Sequence, residues 1–228
     1  MSGPDSENEI RRYYGTLYRS WGPQHWWPAE TRFEVIVGAY LTQNTSWTNV
    51  ERALTNLRNA QLLTLDGIRK ARITTLQRLI RPSGYFRQKA ERLKTFVAFL
   101  DKEYEGSLDK LFSEPTAELR EEILSLNGVG PETADSILLY AGNHPAFVVD
   151  AYTRRIFDRH GILPEKSDYE DIRELFQRSL SQVAEGVERH PWRMESLESA
   201  IRGAAHPPSA VSTAHRTALV QVYNEMHA

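Results

Sequence analysis

The sequence predicts an all-α protein, and three observations lead to that fold class. Apolar residues recur at helical spacing through most of the 228 residues, and glycine and proline separate the helical segments. The one clear run of strand character is Phe147-Val148-Val149. A run this short cannot carry a sheet by itself, so we expect helices packed on helices.

The predicted helices follow in chain order. The first is amphipathic, and the second, over 31–41, is mostly apolar and therefore expected to be buried. Two more follow before the glycine-rich turn at 126–131, and the next has apolar residues at i, i+3, i+4 and i+7. Residues 184–213 are expected to form a loop or insertion, and 213–228 a final helix. Outside 31–41, the apolar positions that define the helices are Ile10, Tyr13, Tyr14, Leu17 and Tyr18; Val50, Leu54 and Leu57; Phe86, Ala90, Leu93, Phe96, Val97 and Leu100; and Ala134, Ile137, Leu138 and Ala141.

Composition excludes some kinds of site. The chain has no cysteine, so it cannot itself form disulfides, thiolate zinc sites or cysteine-ligated iron–sulfur clusters. The formal net charge is −2, so nucleic-acid binding would require a local basic face. No stretch approaches the ~18 apolar residues of a membrane span, and the polar, acidic N-terminus does not resemble a signal peptide. We therefore expect no membrane association and a cytoplasmic location, with the nucleoid as the site in a bacterium.

The segment 126–134 predicts a tight turn between two helices. Gly128 and Gly130 flank Val129, and Pro131 suits the first turn of the next helix. The N–H groups at that helix start can face a phosphate, which would bind a DNA backbone without reading its sequence. The alternative is an ordinary helix–helix turn that contains two glycines. A dinucleotide-binding loop is excluded because the glycines follow a helix rather than a strand.

Asp150 follows the apolar run 147–149 at the start of another predicted helix. One interpretation is an ordinary N-cap. The other is a catalytic carboxylate that stabilises a cationic sugar as a glycosidic bond breaks, and that orients or deprotonates the attacking water. Arg154 and Arg155 follow on the same helix, where they can contact phosphates or remain solvated surface charges.

Together these motifs resemble the helix-hairpin-helix DNA glycosylases of the endonuclease III superfamily. The match joins Leu126-x-Gly128-Val129-Gly130 with Val148-Val149-Asp150, and the blocks 38–45 and 81–90 are also similar to the family. The resemblance covers about residues 9–183 and returns at the last helix. It implies a base-excision-repair enzyme that flips a damaged base out of duplex DNA and cleaves its N-glycosidic bond.

The resemblance also implies a two-lobed fold with DNA in the cleft between the lobes. We expect one discontinuous lobe over 1–30 plus 145–228, which carries the catalytic Asp150. We expect the other lobe over 31–144, which carries the helix-hairpin-helix.

Glu132 distinguishes between branches of this family. Bifunctional members carry a lysine two residues after the second hairpin glycine, where it forms a Schiff base with the sugar. A carboxylate cannot form an imine, so the sequence more closely resembles the monofunctional 3-methyladenine branch. Glu132 is expected in the substrate site, with a favourable acid at a helix start as the alternative.

Aromatic residues support the same branch. Trp26, Trp27, Pro28 and Trp47 match positions where it holds stacking residues. Alkylated purines are electron-poor and often cationic, and a good π face attracts them by about 1–3 kcal/mol. For each tryptophan alone, the alternative is a place in the core. Gln43 is expected beside the flipped base. Gln43 or Asn44 is expected to fill the gap that the base leaves or to bond its orphaned partner base, with a helix C-cap amide as the alternative.

The remaining expected contacts are to DNA. They involve the hairpin residues Gly128, Val129 and Gly130, together with Asn44, Gly84, Lys89 and Arg154. For the charged residues the alternative is a solvated helix face. Tyr85 and Phe86 are candidates for a wedge in the base stack or for the core.

Many members of the family bind an iron–sulfur cluster through four cysteines near the C-terminus. We expect no cofactor or metal in this chain, and such a cluster only if a C-terminal cysteine region is missing from the sequence. The expected partner is double-stranded DNA with a damaged base, bound by a monomer. Three alternatives stay open: a bifunctional glycosylase/AP lyase for oxidised pyrimidines, a non-catalytic DNA-binding module, and a helical interaction protein.

Overall fold

The computed structural model describes residues 4–21, 27–163 and 166–181. These residues form helices joined by turns and loops and include no β-strand, which confirms the predicted all-α fold. None of the described helices combines the length and the apolar character that a membrane span needs. The helices are α1 (Pro4–Trp21), α2 (Arg32–Leu41), α3 (Trp47–Asn59), α4 (Leu65–Lys70), α5 (Ile73–Leu79), α6 (Phe86–Tyr104), α7 (Leu108–Leu111), α8 (Thr116–Ser125), α9 (Pro131–Ser136), α10 (Ala151–Arg159) and α11 (Tyr169–Ser181).

The chain divides into two compact units. One is drawn from 1–26 and 145–228 and contains α1, α10 and α11, and the other spans 27–144 and contains α2 to α9. The lobes expected from the sequence have their boundaries at 30 and 144. The predictions for 184–213 and for the final helix lie outside the described residues.

Helix α2 is the buried centre of the unit 27–144. Every residue from 33 to 41 is buried, as the apolar run predicts. The helix begins after Thr31, whose hydroxyl accepts a hydrogen bond from Glu34 N at 3.1 Å, and Glu34 forms an ion pair with Arg58. A buried carboxylate without a cation would be costly, so this pair fixes the start of α2 against α3.

The other predicted helices of this unit are also present. On α3, Val50, Leu54 and Leu57 are buried, and α6 buries the apolar positions from Ala90 to Leu100 that define it in the sequence. Both helices pack on α2, which builds one core from three helical faces.

The helix after the hairpin differs from the simple periodic prediction. Helix α9 continues into a π-helical turn, Ile137–Ala141, in which Gly142 N donates to Ile137 O at 3.1 Å. This wider turn keeps Ile137 and Leu138 in the core and leaves Tyr140 half-buried. A π-helical turn inserts one extra residue, which shifts the side chains that follow it.

The second unit has a core of stacked aromatic rings. Phe147 and Phe176 stack with ring centroids 4.4 Å apart, and Phe157 packs edge-on against Phe176. Ile10 and Tyr13 of α1 join this cluster, as the predicted amphipathic face requires. The apolar run 147–149 is buried but forms no sheet, as expected from its length.

Candidate nucleic-acid interface and active site

The hairpin between α8 and α9 has the geometry that its sequence predicts. Val129 N donates to Leu126 O at 3.1 Å, which closes the turn, and Gly128 has φ +80°. Pro131 occupies the first turn of α9, where its missing N–H leaves no donor unsatisfied. Behind the hairpin, Arg120 of α8 forms a two-pronged ion pair with the fully buried Asp135 of α9. The turn is therefore held by backbone and by charge.

Gly128 and Gly130 differ in what their positions demand of the backbone. A Cβ added at Gly128 would overlap the Arg92 guanidinium, and its positive φ also disfavours other residues. Gly130 has φ −99° and ψ 173°, which any residue adopts, and a Cβ added there would meet no atom within 4 Å. The expectation of an unusual backbone thus holds for Gly128 alone, while Gly130 presents open space.

Gln43 and Arg92 hold the hairpin against the end of α2. The Gln43 amide donates to Gly128 O at 3.0 Å and to Thr133 Oγ1 at 2.9 Å. Its carbonyl oxygen accepts from Arg92 Nη1 at 2.6 Å. The predicted contact of Gln43 with a base stays a prediction, and it would require the amide to exchange these partners.

The structure corrects the prediction for Lys89. This side chain is only 1% exposed, and its ammonium donates to Leu41 O, Gln43 O and Ser83 O at 3.0, 2.8 and 2.7 Å. An ammonium has three N–H donors, so all of them are used inside the protein. Burial lowers the pKa of Lys89 to about 8. Its role is to join the end of α2 to the turn before α6, and the predicted phosphate contact is wrong.

That turn exposes the next residues of the predicted interface. Gly84 and Tyr85 both have positive φ values, +66° and +44°. Asn44, which follows Gln43 after the end of α2, also has a positive φ of +53°. Tyr85 is 65% exposed and is the one large exposed apolar side chain among the described residues. Asn44 is also exposed. These residues are accessible to a ligand, unlike Lys89.

The rings of Trp27, Trp47 and Tyr140 pack against one another and form the aromatic cluster. The Trp27 ring lies 5.6 Å from Trp47, edge-on, and 5.0 Å from Tyr140, tilted by 38°. Gly38 of α2 makes room for Trp27, because a Cβ there would lie 3.1 Å from the indole. All three aromatic residues are half-buried. Pro28 is exposed beside Trp27, and Trp26 lies outside the described residues.

Asp150 is the N-cap of α10 and is almost fully buried. Its Oδ1 accepts from Thr153 N at 2.7 Å, and its side chain is 4% exposed. The N-cap interpretation is therefore observed, and it orients the carboxylate by a backbone donor. Arg154 Nη1 donates to Ser167 O at 2.9 Å. Glu132 is exposed in the first turn of α9, where its charge complements the helix dipole.

A family model, the HhH-GPD superfamily base excision DNA repair protein, matches residues 37–182. This chain belongs to the HhH-GPD superfamily. The match includes both the hairpin and Asp150, and it confirms the family to which the motifs point in the sequence.

Relatives of this HhH-GPD chain include proteins of two kinds. A Methanocaldococcus jannaschii protein classed as a DNA repair glycosylase is 50% identical over 173 residues, which is 75% of this chain and 78% of that one. Endonuclease III of Thermotoga maritima is 33% identical over 153 residues, 65% of this chain and 67% of that one.

The fold of this HhH-GPD chain is similar to that of a solved relative. The crystal structure of the H. pylori 3-methyladenine DNA glycosylase MagIII, bound to 1,N6-ethenoadenine, gives a TM-score of 0.74 at 28% identity. The similarity covers 88% of this chain and 96% of that one.

The iron–sulfur cluster of many HhH-GPD proteins does not fit this chain. Its ligands are cysteine thiolates, and the chain has no cysteine. Among the residues that the structure describes, no group of three or more His, Asp or Glu side chains is placed to hold a metal ion.

Two residues of this candidate site, Arg92 and Tyr140, are not among the residues predicted from the sequence. Arg92 lies three residues after Lys89 on α6, so the i, i+3 spacing places it on the same helix face. Tyr140 does not belong to the apolar helix face formed by 134, 137, 138 and 141. A large aromatic residue outside that buried face is a signal that could have identified it as a candidate site residue.

Proposed function

We propose that this protein is a monofunctional DNA glycosylase that hydrolyses the N-glycosidic bond of a flipped, alkylated purine in duplex DNA. The observation that carries the proposal is Asp150, a buried carboxylate oriented by the backbone N–H of Thr153 at 2.7 Å. It follows an apolar run within a chain of a base-excision-repair family.

The proposed chemistry uses the negative charge of Asp150. As the glycosidic bond breaks, positive charge develops on the sugar, and a fixed carboxylate stabilises that charge without reorganising. The same carboxylate can orient or deprotonate the attacking water, which adds to the sugar carbon as the base departs. The products are a free base and an abasic site.

The monofunctional assignment rests on Glu132. A lyase reaction needs an amine that attacks the sugar carbon, and the hairpin position of that amine carries a carboxylate here. Lys89, the one lysine within the motif blocks, is buried and donates to three carbonyl oxygens. It is therefore not available as the nucleophile in this conformation.

The aromatic cluster supports an alkylated purine as the substrate. The half-buried rings of Trp27, Trp47 and Tyr140 offer π faces to an electron-poor base, each worth about 1–3 kcal/mol. The related MagIII is known in complex with 1,N6-ethenoadenine, a modified purine. Pro28 borders Trp27 in the sequence and completes the proposed lining.

The proposed DNA contacts are sequence-independent. The hairpin residues from Gly128 to Gly130 would approach one phosphate, with the open space at Gly130 facing it. Gly84 would contact the backbone, the exposed Asn44 would fill the gap left by the flipped base or bond its orphaned partner, and the exposed Tyr85 would enter the base stack. We expect the protein to act as a monomer in the cytoplasm or on the nucleoid.

Base release tests this proposal. Duplexes that each carry one methylated, oxidised or deaminated base are incubated with wild type and with Asp150→Asn, which keeps the size of the side chain but removes its charge. We expect wild type to release alkylated purines and the variant to be slower by at least about 10²-fold. Equal rates for the two proteins would contradict the role of Asp150. Binding without any base release by wild type would indicate a non-catalytic DNA-binding module.

Borohydride trapping separates the proposal from its main alternative. Endonuclease III relatives favour a bifunctional glycosylase/lyase, which forms a reducible imine with the DNA. We expect no trapped adduct with wild type, and Glu132→Lys restores an amine at that position as the positive control. A covalent adduct with wild type would establish the bifunctional reaction instead.

A further inference from the structure

A cavity of about 400 Å³ lies along one face of α10, in the unit that carries Asp150. Arg154, Arg155 and Lys166 line it together with one acid, Asp158. Three cations and one anion give this cavity a formal charge of +2, although the chain as a whole has a charge of −2. The cavity is thus a local basic site on an acidic protein.

The sequence of α10 brings these side chains together. Arg154 and Asp158 are separated by four positions, and Arg155 and Asp158 by three, so all three share one helix face. Lys166 follows the helix in the sequence and contributes the third cation. The buried residues of the same helix, Thr153 and Phe157, face the core.

Two of the cations are already positioned. The Arg154 guanidinium donates to Ser167 O at 2.9 Å, and the Arg155 guanidinium lies 5.4 Å from the centre of the Tyr152 ring. Side chains that are held before binding lose less conformational entropy when a ligand arrives. Guanidinium groups also match the oxygen geometry of a phosphate better than other cations do.

We propose that this cavity binds a backbone phosphate of the DNA strand that carries the lesion. The proposal rests on the proposed function, in which the damaged nucleotide binds at Asp150. The next residue, Ala151, lines the cavity. A nucleotide bound with its sugar at Asp150 would therefore have a neighbouring phosphate on the side of Ala151. Asp158 weakens the site for a free anion, whereas a DNA phosphate is also retained by contacts elsewhere on the strand.

The test measures how DNA affinity depends on salt. Wild type and the double variant Arg155→Gln with Lys166→Gln are titrated by fluorescence anisotropy with a duplex that contains a stable abasic-site analogue. Arg159→Gln is the matched control, because Arg159 is exposed on the same helix and does not line the cavity. Circular dichroism verifies that each variant folds.

We expect the double variant to reduce the slope of log K against log [salt] by about 1, with about tenfold weaker binding near 0.1 M salt. Arg159→Gln is expected to keep the wild-type slope. Asp158→Asn removes the repelling charge, so we expect it to strengthen binding. An opposite sign for Asp158→Asn, or an unchanged slope in the double variant, would overturn the proposal.

Inorganic phosphate separates the two possible sources of the ligand. If phosphate raises the unfolding temperature of wild type but not of the double variant, and the DNA slope is unchanged, the cavity binds a free anion and the proposal is wrong. The base-release assay tests the proposed function separately. If wild type excises bases but the double variant keeps the wild-type salt slope, only the phosphate site in the cavity is disproved. A reduced slope without excision disproves only the proposed function.

Discussion

Replacing Gly128 and, separately, Gly130 by alanine is expected to separate folding from DNA binding. Alanine at φ +80° costs about 1–2 kcal/mol in the left-handed region. Its methyl group would also displace Arg92 from Gln43, which costs about 1 kcal/mol for the lost hydrogen bond. We therefore expect Gly128→Ala to lower the free energy of unfolding by about 2–3 kcal/mol.

Gly130→Ala should behave in the opposite way in the folded protein. Its backbone suits alanine and its Cβ position is empty, so stability should stay the same or increase by up to about 1 kcal/mol. If a DNA backbone approaches this space, the methyl group should weaken DNA binding about tenfold, which corresponds to 1.4 kcal/mol.

The assay combines urea unfolding with anisotropy on an abasic-analogue duplex. Gly161→Ala is a control for the backbone term, because Gly161 has φ +66° and open space at its Cβ position. The difference between Gly128→Ala and Gly161→Ala then measures the share of Arg92. The reasoning fails if Gly130→Ala unfolds more easily than wild type by more than 1 kcal/mol, or if it binds DNA as tightly as wild type does.

Four further predictions concern buried polar groups. Lys89→Met leaves three carbonyl oxygens without their donor and should lower the unfolding free energy by about 3 kcal/mol, whereas the exposed Lys102→Met should change it by less than about 0.5 kcal/mol in the same urea titration. The pKa of Lys89 is lowered to about 8 in the folded protein, so above that pH the unfolded chain binds more protons than the folded one. The free energy of unfolding of wild type should therefore rise between pH 8 and pH 10, by at most about 1.4 kcal/mol per pH unit. A rise that persists in Lys89→Met would contradict this origin. Thr153→Val should raise the unfolding temperature, because the Thr153 hydroxyl is buried without a hydrogen-bond partner among the described residues. Asp135→Asn breaks the buried pair with Arg120 and should cost about 3 kcal/mol by chemical unfolding, and a loss below 1 kcal/mol would refute it.

The sequence predicts the parts of this fold that depend on local pattern. The buried helix α2 follows from an unbroken apolar run, and the position of Pro131 follows from the preference of proline for the first helical turn. Asp150 at the start of α10 follows from its place after the apolar run, because a short polar side chain can cap the free N–H groups there.

The errors concern side chains whose partners are distant in sequence. The charge of Lys89 indicates a surface position, and only the folded chain shows that Leu41, Gln43 and Ser83 direct three carbonyl oxygens at it. The two hairpin glycines look equivalent in the sequence, but the side chain that overlaps a Cβ at Gly128 comes from α6. Local periodicity contains no information about such long-range contacts.

The buried ammonium of Lys89 also couples two segments mechanically. The same ammonium donates to Gln43 O and Ser83 O, which precede Asn44 and Gly84, so each loop opens only by giving up a hydrogen bond to the donor that also holds the other loop. We expect the two loops to exchange amide hydrogens with solvent as a single unit. Reagents that acylate amines should modify Lys89 only when that unit opens, so the rate of its acylation would report the opening frequency directly.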